Sequence, residues 1–353
     1  MKTLQEIIMT AIEAGSSDIH ISTKRPASCR VYGKLFTMDN EILTNEDLVR
    51  IIKPFMETKG VSEKMEMYGE ADFAYSFDNE TRFRVNMFKQ KGEYAVAMRL
   101  LPTSMPDPDV LGIPVSVQDF VNLKRGLVIV TGETGSGKST TLAALINRIN
   151  QTQQKHIITI EDPIEFVHHH KMSLVNQREI GVDTQSFANA LRASLREDPD
   201  IILVGEMRDL ETIETALIAA ETGHLVFSTL HTNTAASTVD RIIDVFPTNQ
   251  QGQVRVQLAN VLEGIVCQQL IPLRDGRGRV AAFEVMISNP AIRNLIREGK
   301  SYQLASQIQT GRKQGMQSMD DCLVKLFEQK KIYAADAVRF AFDPDNMSKV
   351  CML

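Results

Sequence analysis

The sequence predicts an α/β chain in which a small mixed α+β domain precedes a larger domain built on a parallel sheet. Three observations carry this. Between residues 18 and 101, the segments DIHIS, SCRVYGKLF, ADFAYSF, TRFRVNMF and EYAVAMRLL alternate apolar and polar residues at period two. That is the pattern of antiparallel strands with one face on a core and the other in water. Further on, GLVIV, HIITI, IILVG and LVFSTL are near-continuous apolar runs separated by helix-length amphipathic segments, as strands of a parallel sheet covered on both faces require. Between the two regions lies LPTSMPDPDVLGIP, with Pro102, Pro106, Pro108 and Pro114. Proline removes amide donors and disfavours helix in the residue before it, so this stretch reads as an extended linker. The expected division is residues 1–100, a linker over 101–115, and a second domain over 116–353.

In chain order, MKTLQEIIMTAIEAG opens the first domain. Leu4, Ile7, Ile8, Ala11 and Ile12 fall at helical spacing, Glu6 and Glu13 interrupt the apolar run, and Gly15 suits a helix stop. It reads as a first amphipathic helix and not as a signal peptide. The five alternating strands follow, then the linker, then the apolar strands and their helices. From about residue 250 the chain reads as mostly helical, apart from a hairpin across 275–278.

Composition narrows the function. A chain of 353 residues with 43% hydrophobic and 24% charged residues can bury two ordinary globular cores. A net charge of −5 argues against a direct nucleic-acid binder. Cys29, Cys267, Cys322 and Cys351 are scattered without a CxxC pair, which gives neither a zinc ribbon nor a disulfide framework and suits a reducing cytoplasm. No apolar run approaches the roughly 18 residues needed to span a bilayer.

The strongest motif is VIVTGETGSGKSTTLAALINRI, which satisfies G-x-x-x-x-G-K-[ST] through Gly132, Gly137, Lys138 and Ser139. It follows a strand and opens a helix, the context in which backbone amides and a helix N-terminus cradle phosphates. Gly132, Glu133, Thr134, Gly135, Ser136, Gly137, Lys138, Ser139 and Thr140 are the expected nucleotide contacts. Lys138 would reach the β- and γ-phosphates of ATP, and the Ser139 hydroxyl would bind Mg²⁺.

Two acidic stretches follow apolar strands. In IITIEDPIEF, Glu161, Asp162 and Glu165 fall at the carboxyl edge of the sheet, where open α/β sheets bind ligands. Either they orient water and metal, or they form a solvated loop. In DPDIILVGEMRD, Glu206 follows the strand after Gly205 and is the expected acid on the metal side, reaching Mg²⁺ directly or through water; Asp200, at the strand's start, is too far away. In GHLVFSTLHTN, His224 and His231 flank the last apolar strand. A zinc site would need further ligands, and Ser228, Thr229, Thr232 and Asn233 are poor ones. His231, just past the carboxyl end, is placed to sense a γ-phosphate, and His224 suits either core burial or the nucleotide site.

GETGSGKST, ITIEDPIE, DPDIILVGEMRD and GHLVFSTLHTN together resemble the Walker A, Asp box, atypical Walker B and His box of the hexameric ATPases of secretion and type IV pilus systems. The resemblance covers nearly the whole chain. AIRNLIREGK (291–300), SSDIHI and RFRVN resemble the retraction branch of that family, whereas the extension and type II secretion branches carry a longer N-terminal region and a four-cysteine zinc site absent here. Glu133 departs from a more common proline. The resemblance implies a PAS-like N-terminal α+β domain, a RecA-like ATPase domain with a C-terminal helical portion, and a homo-hexamer with shared ATP sites. It implies Glu165 as the glutamate that activates water, Glu206 as the Walker B glutamate, His231 as γ-phosphate sensor and His224 as its companion. Arg82, Arg84 and Arg99 become candidates for supplying positive charge to the phosphates; each could equally be a surface ion pair. The implied activity is ATP hydrolysis driving pilus retraction, at the cytoplasmic face of the inner membrane. The implied partners are an inner-membrane platform protein and the pilus machinery, with membrane association only through them. An accessory retraction paralogue, a secretion or DNA-uptake motor, and a nucleotide-gated assembly factor with little hydrolysis are the alternatives.

Read without the family, AIRNLIREGK is a short helix with Asn289 as N-cap, Pro290 first and Gly299 after its end. Ala291, Ile292, Leu295 and Ile296 form its apolar stripe, leaving Arg293, Arg297 and Lys300 outside. His168, His169 and His170 are adjacent and cannot all converge on one metal. The tail KVCML has no evident role.

Overall fold

The computed structural model describes residues 2–78 and 81–351. By contact the chain divides into two compact units. The first is Met1–Ser104 with Asp162–Val167 and Glu179–Gln185, and the second is Met105–Glu161, His168–Arg178 and Ser186–Leu353. The proline-rich stretch is thus divided between them at Ser104, and two short pieces from the later part of the chain count with the first unit.

In the first unit, β1 (Asp18–Ser22), β2 (Ser28–Val31), β3 (Lys34–Thr37), β4 (Glu70–Ser76), β5 (Arg82–Gln90) and β6 (Glu93–Leu100) form a six-stranded sheet in the order β3-β2-β1-β6-β5-β4. All its pairings are antiparallel. Helices Leu4–Glu13, Asn45–Met56 and Val61–Met67 accompany it. The first starts on a capping box, Glu6 N donating to Thr3 Oγ1 and Thr3 N donating to the Glu6 carboxylate at 2.7 Å. The period-two pattern has its expected cause: Phe83, Val85 and Met87 are buried with Ile7, Ile8 and Phe55, while Arg82, Arg84 and Asn86 take the other face of β5.

The second unit holds β7 (Gly126–Thr131), β8 (His156–Glu161), β9 (Leu174–Glu179, whose last residue counts with the first unit), β10 (Ile201–Val204), β11 (Leu225–Leu230), β12 (Leu262–Pro272) and β13 (Arg279–Ile287). Their order is β13-β12-β7-β11-β10-β8-β9. The pairs from β12 through β7, β11 and β10 to β8 are parallel, and β13 returns antiparallel on β12. The hairpin expected across 275–278 is present, and its strands take up Leu262–Pro272 and Arg279–Ile287, where a mostly helical stretch was expected. Most of β12 is buried, and a buried strand has no period-two alternation to mark it off from a buried helix segment. Helices Met319–Glu328, Ala334–Phe340 and Pro344–Val350 follow, with Met319, Leu323, Ala337, Met347 and Cys351 sharing one buried cluster. The tail thus ends in packing at Cys351; Met352 and Leu353 lie outside the described residues. Among the described residues no helix is long and apolar enough to cross a membrane.

Candidate active site

The phosphate cradle forms where β7, buried at all six positions, breaks into a loop that opens the helix Lys138–Thr152. Gly132 and Gly137 take φ of +143° and +91°, backbone that side-chain-bearing residues rarely adopt. Space forbids a side chain as well. A Cβ on Gly132 would lie 2.3 Å from the Gln268 carbonyl oxygen and 2.6 Å from Ser136 Oγ, and one on Gly137 would lie 2.8 Å from Gln268 Nε2. Gln268, on β12, therefore backs the loop at both glycines, and its Oε1 accepts the Thr141 hydroxyl at 2.7 Å. Sequence reasoning missed this residue, since nothing in QQLIP marks it. On the loop Glu133, Thr134 and Gly135 are exposed and Ser136 is buried; in the first turn of the helix Ser139 is exposed and Thr140 half-buried.

Lys138 is buried and donates to the carbonyls of Gly132 and Glu133 at 2.7 and 2.9 Å. Its ammonium also lies 3.5 Å from His231 Nδ1. The other ring nitrogen, Nε2, is 2.9 Å from Glu206 Oε1. A neutral imidazole with its proton on Nε2 serves both neighbours, accepting from Lys138 and donating to Glu206. The sheet builds this chain of contacts. β7, β10 and β11 end together at the carboxyl edge, and Thr229 Oγ1 donates to the Gly205 carbonyl at 2.6 Å, holding the turn before Glu206 against β11. Arg208 Nε also donates to Glu206 Oε1, at 2.7 Å, a contact the sequence analysis did not foresee. The Ser139 hydroxyl and the Glu206 carboxylate are hard oxygen donors of the kind Mg²⁺ prefers, so the residues present fit that ion.

His224 is not brought to this place. It precedes β11 at the opposite, amino end, where its Nδ1 is 2.9 Å from the Ala219 carbonyl oxygen and 3.2 Å from Thr222 Oγ1. Both partners end the helix Leu210–Glu221 or follow it. Asp200, likewise at an amino end, accepts from Lys155 Nζ and His156 N at 2.8 and 2.9 Å and ties β8 to β10. Glu161 accepts from Thr159 Oγ1 and Gln177 Nε2 at 2.6 and 3.1 Å.

The remaining expected residues lie in the first unit. Glu165 belongs to Asp162–Val167 and is half-buried. Arg84 and Arg99 are cross-strand neighbours on β5 and β6, and Arg99 faces Asp18 of β1 in turn. Arg99 Nε donates to Asp18 Oδ1 at 2.8 Å while its side chain stays 71% exposed. Arg84 lines a small pocket with Lys59, Lys64, Asp72, Asp162 and Glu179. Arg82, expected to face a nucleotide, is instead engaged by the Ile164 carbonyl at 3.1 Å and the Glu179 carboxylate at 3.2 Å.

In the helix Pro290–Arg297, Asn289 Oδ1 accepts from Ile292 N at 2.9 Å, and Ile292 and Ile296 are fully buried, as read from the sequence. Arg293 is not on an outer basic face. It donates to the carbonyls of Ala259 and Asn260, at the end of the helix Thr248–Val261, and to Glu263. Carbonyls at a helix C-terminus lack intrahelical donors, so a guanidinium there satisfies them. Of the three adjacent histidines, His168 is buried, and burial pushes its pKa down to about 4. His170 accepts from Val175 N at 3.1 Å.

A glycine loop between strand and helix, with its lysine joined through a histidine to an acid at the next strand end, defines the class: this is a P-loop ATPase. Comparison with known proteins narrows the class. The chain matches the family described as Type II/IV secretion system protein over residues 1–331, and it belongs to that family. It is 47% identical over 343 residues to a Pseudomonas aeruginosa protein described as the type IV pilus retraction ATPase PilT, covering 97% of this chain and 99% of that one. It is 39% identical to the type IV pilus ATPase PilU of the same organism, over 97% of this chain and 90% of that one. A crystal structure of the pilus retraction motor PilT with bound ADP superposes with a TM-score of 0.92 at 49% identity, covering 99% of this chain and all of that one.

Proposed function

We propose that this protein is the ATP-hydrolysing motor of type IV pilus retraction, working as a homo-hexamer. The observation that carries the enzymatic part is the continuous Lys138–His231–Glu206 contact at the phosphate cradle. The retraction part is supported by similarity along nearly the full length of both chains to a retraction ATPase. In this reading the loop amides of residues 132–140 bind the phosphates of ATP, and Lys138 neutralises the β- and γ-oxygens. Ser139 and Glu206 would hold Mg²⁺, Glu206 directly or through water, and the bound ion would supply positive charge to the transferring phosphoryl group. Glu165 takes the proton of the attacking water, and Arg84 and Arg99 stabilise the spread charge of the transition state. His231 hydrogen-bonds the γ-phosphate and, once phosphate has left, returns to Glu206. The motor acts on the cytoplasmic side of the inner membrane, through a platform protein and the pilus machinery.

Purified protein should turn over ATP, and Glu165→Gln should lower kcat by about a hundredfold to ten-thousandfold with ATP still bound. Equal turnover by the two would remove Glu165 from catalysis. Deleting the gene should leave surface pili in place and abolish twitching; loss of the pili would sink the retraction reading. The accessory role is the second reading, favoured by the similarity to PilU, and retained partial twitching would point to it.

A further inference from the structure

The loop that carries Glu165 is held by a pair of side chains that no step above uses. Glu179, the last residue of β9, has a side chain only 6% exposed. Its Oε2 accepts from the backbone amide of Ile164 at 3.2 Å and from Arg82 Nη2 at 3.2 Å. The other terminal nitrogen of Arg82, Nη1, donates to the carbonyl of Ile164 at 3.1 Å. Both backbone polar groups of Ile164 are therefore gripped, one by the carboxylate and one by the guanidinium, and carboxylate and guanidinium grip each other. The residue held this way stands directly before Glu165.

The support on either side is built in as well. Ile164 and Phe166 are buried, at 9% and 5% exposure, flanking a half-buried Glu165. The Glu179 amide donates to Asp183 Oδ2 at 2.8 Å, and its carbonyl accepts from the Asp183 amide at 2.9 Å, which fixes the turn behind it. Arg82 is the first residue of β5 and packs with its side chain only 18% exposed. A charge-assisted pair with both partners largely out of water holds its geometry far better than a surface ion pair does.

We infer that Arg82 and Glu179 form a clamp that positions the Glu165 carboxylate to take a proton from the attacking water, with Arg82 acting through the Ile164 backbone and not on the phosphates. The inference rests on the catalytic reading of Glu165 given above. A general base works only when its carboxylate is within hydrogen-bond reach of the water it deprotonates, and a shift of about 1 Å can cost a hundredfold in rate. A positioning pair of this kind acts on kcat and leaves nucleotide affinity alone. The two residues also act as one unit, so losing both costs little more than losing either.

The test compares full-length wild type with Arg82→Ala, Glu179→Ala, the double variant, and Glu165→Gln. Each is first matched for oligomeric state by size-exclusion chromatography. Steady-state turnover gives kcat and KM, a fluorescent ATP analogue gives nucleotide affinity, and hydrogen–deuterium exchange reads the peptide containing Ile164. Expected is a fall in kcat of about tenfold to a hundredfold in both single variants, with KM and analogue affinity changed less than about twofold. The double variant should match the worse single one, and exchange at Ile164 should speed up in all three. Arg82→Lys, which keeps one charged donor, should recover part of kcat. The clamp is overturned if Glu179→Ala leaves kcat and Ile164 exchange unchanged. It is also overturned if Arg82→Ala weakens analogue binding severalfold while Glu179→Ala does not, since Arg82 would then be reading phosphate directly. Should Glu165→Gln keep wild-type turnover, the catalytic reading falls, and the exchange at Ile164 still decides whether the clamp exists.

Discussion

Lys138 satisfies its charge in a buried loop by donating to two backbone carbonyls and approaching His231. A neutral residue there leaves those acceptors without a donor and the phosphates without a cation. Lys138→Ala should therefore abolish binding of the fluorescent ATP analogue, and wild-type affinity in that variant would contradict the cradle assignment. His168 gives a pH effect whose sign follows from burial. Its pKa is about 4 when folded, against an ordinary value of 6.5. Between those values the unfolded chain takes up a proton that the folded chain refuses, so stability present above pH 6.5 is lost progressively as pH falls toward 4. At pH 5 the loss is about 2 kcal/mol. Urea unfolding at pH 7 and pH 5 should show a smaller drop for His168→Gln than for wild type, and equal drops would rule the effect out. His168 looks in sequence like its neighbours His169 and His170. What separates them is burial, which depends on packing distant in sequence.

Elements carry the cradle and the retraction-like helix. Replacing Gly132 with alanine sets a methyl 2.3 Å from a backbone carbonyl on β12 at φ +143°, and neither strand can give way without disturbing the parallel pairing of β7 with β12. Gly132→Ala should cost about 2 kcal/mol or more in stability and remove nucleotide binding; a thermal melt together with an affinity measurement checks both. The strand–loop–helix succession was legible because each piece is local: an apolar strand, glycines at fixed offsets, then a helix. The turn of the β12–β13 hairpin was legible at 275–278, but the length of its strands was not, since a strand buried on most sides loses the alternation that betrays strands. Arg293 shows the same limit. Periodicity put it outside its helix, but it turns inward because the helix Thr248–Val261 ends beside it with carbonyls to satisfy. Arg293→Ala should lower stability by about 1–3 kcal/mol, read from urea unfolding, whereas a solvated basic face would give almost no change.

At the scale of the molecule, the proposed site residues are divided between the two compact units: the cradle, Glu206 and His231 in one, Glu165, Arg84 and Arg99 in the other. If ATP sites are shared between neighbouring subunits, complementary defects on different chains should rescue each other. Lys138→Ala and the double variant Arg84→Ala/Arg99→Ala should each be inactive alone, and mixing them before assembly should restore a fraction of turnover. No recovery on mixing would mean that each site is completed within one chain.

The sequence by itself determined the nucleotide chemistry, the antiparallel first sheet and most of the parallel one. Those features rest on short-range spacing: glycines around a lysine, period two, and apolar runs ending in acids. Tertiary structure alone decided which side chains meet. It joined Lys138 to His231 and Glu206, left His224 at the far end of its strand, and set Gln268 behind the glycines. It also paired Arg82, a candidate phosphate ligand, with Glu179 and Ile164, residues 97 and 82 positions away. A guanidinium pairs with whichever carboxylate and carbonyl the fold brings within about 3 Å, and separation along the chain carries no information about that distance.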